Sequence, residues 1–198
     1  MAAAKTLFEL AGADLRPPRA EEACLVLIDL QNEYLSGPLE LPGAGPAVGS
    51  AALLLAAARR AGVPVFHIAH RGGRGGLFDP EAERGRIIAA VAPTAAEPVI
   101  SKTLPNAFAG TDLQARLAAT GRTDVVIGGF MTHMCVSSTA RAALDLGLRT
   151  TIVASACATR DLPDGRGGTL SARTVHEVAL VELSDRFALI ERDVDALW

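Results

Sequence analysis

Apolar residues follow two different spacings along this chain, and each change of spacing marks the border of an element. Apolar runs of strand length occupy residues 24–30 (CLVLIDL), 64–70, 124–130 and 149–157. Near-continuous runs of this kind, without polar alternation, belong to strands buried on both faces of a parallel sheet. Residues 98–102 predict a short third strand and residues 188–194 a last one. Helical spacing fills the intervals. Residues 44–61 are Ala/Leu-rich and stop at Gly62, ahead of Pro64. Residues 81–91 and 112–120 predict further helices, as do residues 170–187. After residue 130, apolar positions at Val136, Ala140, Ala143, Leu144 and Gly147 fit one more. Residues 72–80 read as a glycine-rich loop and residues 159–168 as a long polar one. This alternation predicts an α/β fold whose parallel sheet is covered on both faces. No repeat or linker interrupts it, so residues 1–198 are expected to form a single domain.

Composition narrows the partners. Hydrophobic residues make up 49% of the 198, yet no run approaches the roughly 18–20 apolar residues of a membrane helix. The 19 basic residues are scattered and the net charge is −3, which leaves no footprint for nucleic acid. RGGRGG at residues 71–76 reads as a mobile loop rather than a basic contact. The first twenty residues lack a continuous apolar core and carry Glu9 and Asp14, unlike a signal peptide. Three cysteines, Cys24, Cys135 and Cys157, form an odd set without metal-type spacing, which favours a reducing cytoplasm. Cys24 and Cys157 read as inert core thiols.

Ligands of open parallel sheets gather beyond the carboxyl ends of the strands. There the first, third and fourth predicted strands carry Asp29, Lys102 and the turn from Phe130 to Cys135. An acid, a base and a thiol are therefore expected in one crevice. Each has a plainer reading alone: Asp29 as a cap for backbone N–H groups, Lys102 as a snorkelling surface lysine, Cys135 as a small buried hydrophobe. Cys135 is placed in the first turn of a helix, where unpaired N–H groups and the helix dipole would lower the thiol pKa.

The segments LVLIDLQNEY, SKTLPNAFAGTDL, GGFMTHMCVSSTARAALDLG and ASACATRD together resemble the isochorismatase-like cysteine hydrolases, which include nicotinamidases and N-carbamoyl amidohydrolases. The resemblance covers nearly the whole chain. It implies a doubly wound, three-layer Rossmann-like fold with a parallel sheet of about six strands. It also implies a catalytic triad of Asp29, Lys102 and Cys135, with a cis peptide between Phe130 and Met131. Asp29 would take the thiol proton, Lys102 would hold Asp29 ionised, and Cys135 would attack a carbonyl to form a thioester. Backbone N–H groups around Phe130, Met131 and Cys135 would supply the oxyanion hole. The expected reaction is hydrolysis of a small amide, carbamoyl or related C–N bond. Vinyl ether cleavage of the isochorismatase type, or binding without catalysis, are the alternatives.

Tyr34, His70, Phe78, Asn106, Phe108 and Thr132 are the candidates for lining the pocket, with Thr132 also a candidate N-cap. His133 would offer a Cys–His pair, but adjacent helical positions do not face each other. Nicotinamidases of this family carry an Asp-x-His metal element where this chain has HIAH, and His67 and His70 would point to opposite faces of a strand. No metal and no cofactor are expected. Arg160 and Asp161 could bind a polar substrate or form a surface ion pair, and the ion pair is the favoured reading. The partners expected are a small-molecule substrate and further copies of the chain, as a dimer or tetramer.

Overall fold

The computed structural model describes residues 3–198, so Met1 and Ala2, the start of the segment read as no signal peptide, lie outside the described residues. Six strands form the central sheet: β1 (Ala23–Ile28), β2 (Val65–His70), β3 (Val99–Lys102), β4 (Asp124–Phe130), β5 (Arg149–Ala158) and, last in the chain, β8 (Leu189–Glu191). They lie in the order β3-β2-β1-β4-β5-β8, and every neighbouring pair is parallel. All six residues of β1 and all seven of β4 are buried, as unbroken apolar runs require. Alternate side chains of β1 feed two cores. Ala23, Leu25 and Leu27 pack with Leu54, Leu55 and Ala58 of the long helix α3 (Ala44–Arg60). Cys24, Val26 and Ile28 pack with the opposite helical layer. That layer comprises α4 (Leu113–Ala119), α5 (Ser137–Asp145) and α6 (Ala172–Arg186). The result is a three-layer α/β sandwich in the doubly wound order. Two single-turn helices, α1 (Leu7–Leu10) and α2 (Glu33–Ser36), complete the helical set.

Three expectations need correction. Residues 81–91 do not form a helix; they make two 3₁₀ turns, Glu83–Gly85 and Ala89–Val91, separated by a bridge from Ile87 to Gln31. Backbone bonding to the segment after β1 outweighs the weak helical spacing of this stretch. Residues 159–168 are not all loop: β6 (Leu162–Pro163) pairs with β7 (Thr169–Leu170) as a small hairpin. The glycine-rich segment is folded back on itself rather than loose, with the Gly72 N–H donating to the Phe78 carbonyl at 3.0 Å and the Gly76 N–H to that of Gly73 at 3.0 Å. Among the described residues no helix is long and apolar enough to cross a membrane.

Candidate active site

The strand order reverses between β1 and β4, so their carboxyl ends open the crevice where doubly wound folds hold ligands. Gly129 lets the two ends close in. A Cβ there would stand 2.0 Å from the Ile28 carbonyl oxygen, and its φ of +132° suits glycine. The register of β4 with β5 also shifts between Ile127 and Gly129. A glycine inside a strand pattern commonly marks such an irregularity. Asp29 follows Ile28 at φ +51°, a left-handed conformation that turns its side chain away from the strand's regular alternation.

Asp29, Lys102 and Cys135 meet. The Lys102 Nζ donates to Asp29 Oδ2 at 2.6 Å and stands 3.3 Å from Cys135 Sγ. Relative exposure is 0% for Asp29, 2% for Lys102 and 5% for Cys135, so the cluster is enclosed. Burial raises the Asp29 pKa, against the pull of the Lys102 charge. The Cys135 thiol is pushed up to about 12, by burial first and then by the Asp29 charge, with Lys102 opposing. This corrects the expected lowering. Cys135 does not begin an α-helix but sits inside a π-helical turn, Thr132–Val136, that precedes α5. Desolvation and the neighbouring carboxylate outweigh a helix terminus. The thiol is therefore held neutral beside the buried Asp29. The Phe130–Met131 peptide is cis.

The polar residues after Asp29 each hold the far wall of the crevice. Gln31, fully buried, donates from Nε2 to the carbonyls of His70 (3.0 Å) and Gly85 (2.7 Å), and accepts the His70 N–H at 2.8 Å. Asn32 donates to the Glu83 carbonyl at 3.0 Å. Glu33 accepts the Phe78 N–H at 3.1 Å. The sequence signal for all three is a run of consecutive amide and carboxylate side chains, Gln31, Asn32 and Glu33, directly after a buried strand. Tyr34 is buried, with its ring 5.2 Å from Phe78 and 5.3 Å from Phe130. Its hydroxyl pKa is raised, by burial first. His70 lies 5.0 Å from the Phe78 ring, with Nδ1 3.3 Å from Lys102 Nζ. Burial and the Lys102 charge lower its pKa and keep it neutral near pH 7. Tyr34 and His70 thus both pack on Phe78, and His70 reaches Lys102.

The other candidates have separate duties. Thr132 makes no capping bond; its Oγ1 lies 2.8 Å from His176 Nδ1 on α6, which fastens the cysteine turn to that helix. His133 meets the Thr159 hydroxyl, not the thiol. Asn106 spends its Oδ1 on the Phe108 N–H at 2.9 Å, and Phe108 is half-buried against the core that contains Cys135. His67 turns to Glu97, at 3.2 Å, away from His70. Among the described residues no three His, Cys, Asp or Glu side chains stand together as a metal cluster.

Arg160 overturns its surface ion-pair reading. Asp161 instead accepts the Ala172 N–H, at 2.6 Å, at the start of α6. Arg160 Nε is buried and unpartnered. Among the described residues, the other partly buried arginines, 16, 84, 122, 141 and 149, each donate to a carboxylate, hydroxyl or carbonyl oxygen. Arg160 follows the carboxyl end of β5, beside the turn that carries Cys135, and its charge acts on both His133 and Tyr34.

Comparison with known proteins agrees with this fold. A family model described as the isochorismatase domain matches residues 23–190. The crystal structure of an isochorismatase from Pseudomonas putida KT2440 superposes with a TM-score of 0.94 at 41% identity, covering 99% of this chain and 100% of that one. An uncharacterised isochorismatase family protein of Bacillus subtilis, YddQ, is 35% identical over 84% of this chain and 94% of its own length. A maleamate amidohydrolase of Pseudomonas putida is 36% identical over 65% of this chain and 68% of its own length.

Proposed function

The chain belongs to the isochorismatase family, and from that premise we propose that it is a cysteine hydrolase of the C–N bond in a small amide or carbamoyl compound. The observation that carries the reading is Lys102 Nζ within hydrogen-bonding reach of Asp29 and Cys135 together. The similarity to an amidohydrolase supports it.

The proton inventory sets the mechanism. Asp29 is the base and Cys135 arrives as a thiol, so deprotonation accompanies attack. The Sγ–C bond forms as the thiol proton passes to Asp29, and backbone N–H groups of the Met131–Cys135 turn receive the developing oxyanion. The C–N bond then breaks as Asp29 returns that proton to the leaving nitrogen. Water, deprotonated by Asp29, attacks the thioester, and the proton goes back to the departing sulfur. Lys102 keeps a positive charge against both anions throughout. His70, neutral and next to Lys102, adds no competing charge. The free guanidinium of Arg160 gives the pocket an anion acceptor, so the reading favours amides whose acid portion also bears a carboxylate.

The test is a panel of small amides, ureas and carbamoyl compounds, neutral and anionic, assayed for ammonia or amine release and for a trapped acyl adduct on Cys135 by mass spectrometry. Turnover with an adduct confined to Cys135 is expected. Turnover that persists in Cys135→Ala would reject the mechanism.

A further inference from the structure

Glu33 is the one fully buried carboxylate near the cluster that the proposed chemistry leaves unused. Its Oε2 accepts the Phe78 N–H at 3.1 Å and stands 3.5 Å from Arg84 Nε, and its Oε1 has no partner. Arg84 in turn donates to the carbonyls of Gly75 (3.2 Å) and Gly76 (2.7 Å). Asp79 closes the same loop by accepting the Gly75 N–H at 2.7 Å. These bonds hold the loop that carries Phe78, which sits at φ +55°, a left-handed conformation that a bulky side chain adopts only where its surroundings impose it. What this conformation secures is the ring's place, 5.2 Å from Tyr34 and 5.0 Å from His70, the histidine whose Nδ1 lies 3.3 Å from Lys102 Nζ.

Burying a carboxylate with one oxygen unpaired is costly, and a neutral acceptor would satisfy the Phe78 N–H alone. The charge serves the second grip, on Arg84 and through it on the glycine-rich loop. We propose that Glu33 is a positioning residue that locks this loop into a fixed roof, and that Phe78 in that roof determines how bulky a group can reach Cys135. The loop is thereby a rigid size filter. Glu33 touches no reacting atom and acts through Phe78.

A probe that needs no turnover separates this from the proposed reaction. Alkylation of Cys135 is followed by mass spectrometry of its peptide, with iodoacetamide as the small reagent and N-benzylmaleimide as the bulky one. The rate ratio, small over bulky, is the readout. Phe78→Ala is expected to lower that ratio about tenfold, a difference of about 1.4 kcal/mol. Glu33→Ala is expected to lower it by a similar factor, and the double variant no further than Phe78→Ala, because both act on one wall. Glu33→Gln keeps an acceptor for the Phe78 N–H and loses the grip on Arg84, so it is expected to fall between wild type and Glu33→Ala. Should Glu33→Ala fail to fold, Glu33→Gln and Arg84→Ala carry the same comparison. An unchanged ratio in folded Glu33 and Arg84 variants, or losses that add in the double variant, would overturn the proposal.

Discussion

The two edges of the central sheet treat buried charge in opposite ways. At the amino-terminal edge it is matched. Asp124, at the start of β4, receives both Nε and Nη2 of Arg149, at 3.1 and 2.6 Å, and the same arginine donates to the Arg16 carbonyl at 2.7 Å. Arg122 donates to the carbonyls of Ala20 and Ala23. At the carboxyl edge it is left partly open. Asp29 Oδ1, Glu33 Oε1 and Arg160 Nε are buried without partners, and they are the charged members of the unpartnered set among the described residues. Native structures rarely leave such atoms orphaned, so their gathering on one edge separates a part built for cohesion from a part built to receive a ligand.

That contrast can be broken by substitution at either edge. The largest effect belongs to Cys135→Ala, for which at least a 10⁴-fold loss of amide turnover is expected with the denaturation midpoint kept within about 0.5 kcal/mol of wild type. Steady-state kinetics and urea titration read the two quantities on the same samples. Asp124→Ala should show the reverse: about 2–3 kcal/mol of stability lost, because Arg149 then keeps no carboxylate, and kcat within about twofold. If Asp124→Ala depresses kcat as strongly as it depresses stability, the two edges are not separable.

A smaller effect is expected from Arg160→Gln. KM for an anionic amide should rise about tenfold to a hundredfold, with little change for a neutral one of the same size. Equal change for both would remove the guanidinium from substrate recognition.

The smallest effects are in pH dependence, where two carboxylates move in opposite directions. As the proposed base, Asp29 would have to be ionised, and burial raises its pKa, so kcat/KM should fall on acidification at a pH above the range of an exposed aspartate. Glu97, bonded to Arg59 at 2.7 Å and to His67, is lowered to about 2. A folded pKa below the unfolded value of 4.5 means stability that is present above 4.5 and lost as pH falls toward 2. Acid unfolding followed by circular dichroism should therefore shift to higher pH in Glu97→Gln.

The strands were legible in the sequence because parallel strands buried on both faces leave long apolar runs that survive any tertiary detail. β1, β2, β4 and β5 lie within two residues of their predicted limits at either end. The strand-end rule also brought Asp29, Lys102 and Cys135 to one edge. What the sequence did not show depends on partners far along the chain. Gln31 meets His70 and Gly85 across 39 and 54 residues, and Thr132 meets His176 across 44. No local spacing encodes such pairs, which is also why residues 81–91 became two turns instead of a helix. The thiol pKa departs from the helix-start expectation for the same reason: helix position is local, whereas desolvation by a completed fold is not.

The π-helical turn that buries Cys135 has a consequence for the chain's life in an oxidising setting. Peroxide attacks the thiolate, and susceptibility follows thiolate content and access. With its pKa pushed up to about 12 and its sulfur enclosed, Cys135 of the folded protein stays in the thiol form that oxidants consume slowly. An unfolded copy, with an ordinary exposed thiol, is the more vulnerable one. Oxidation is therefore expected first on molecules that have already lost their structure, with the proposed nucleophile of intact copies spared for substrate.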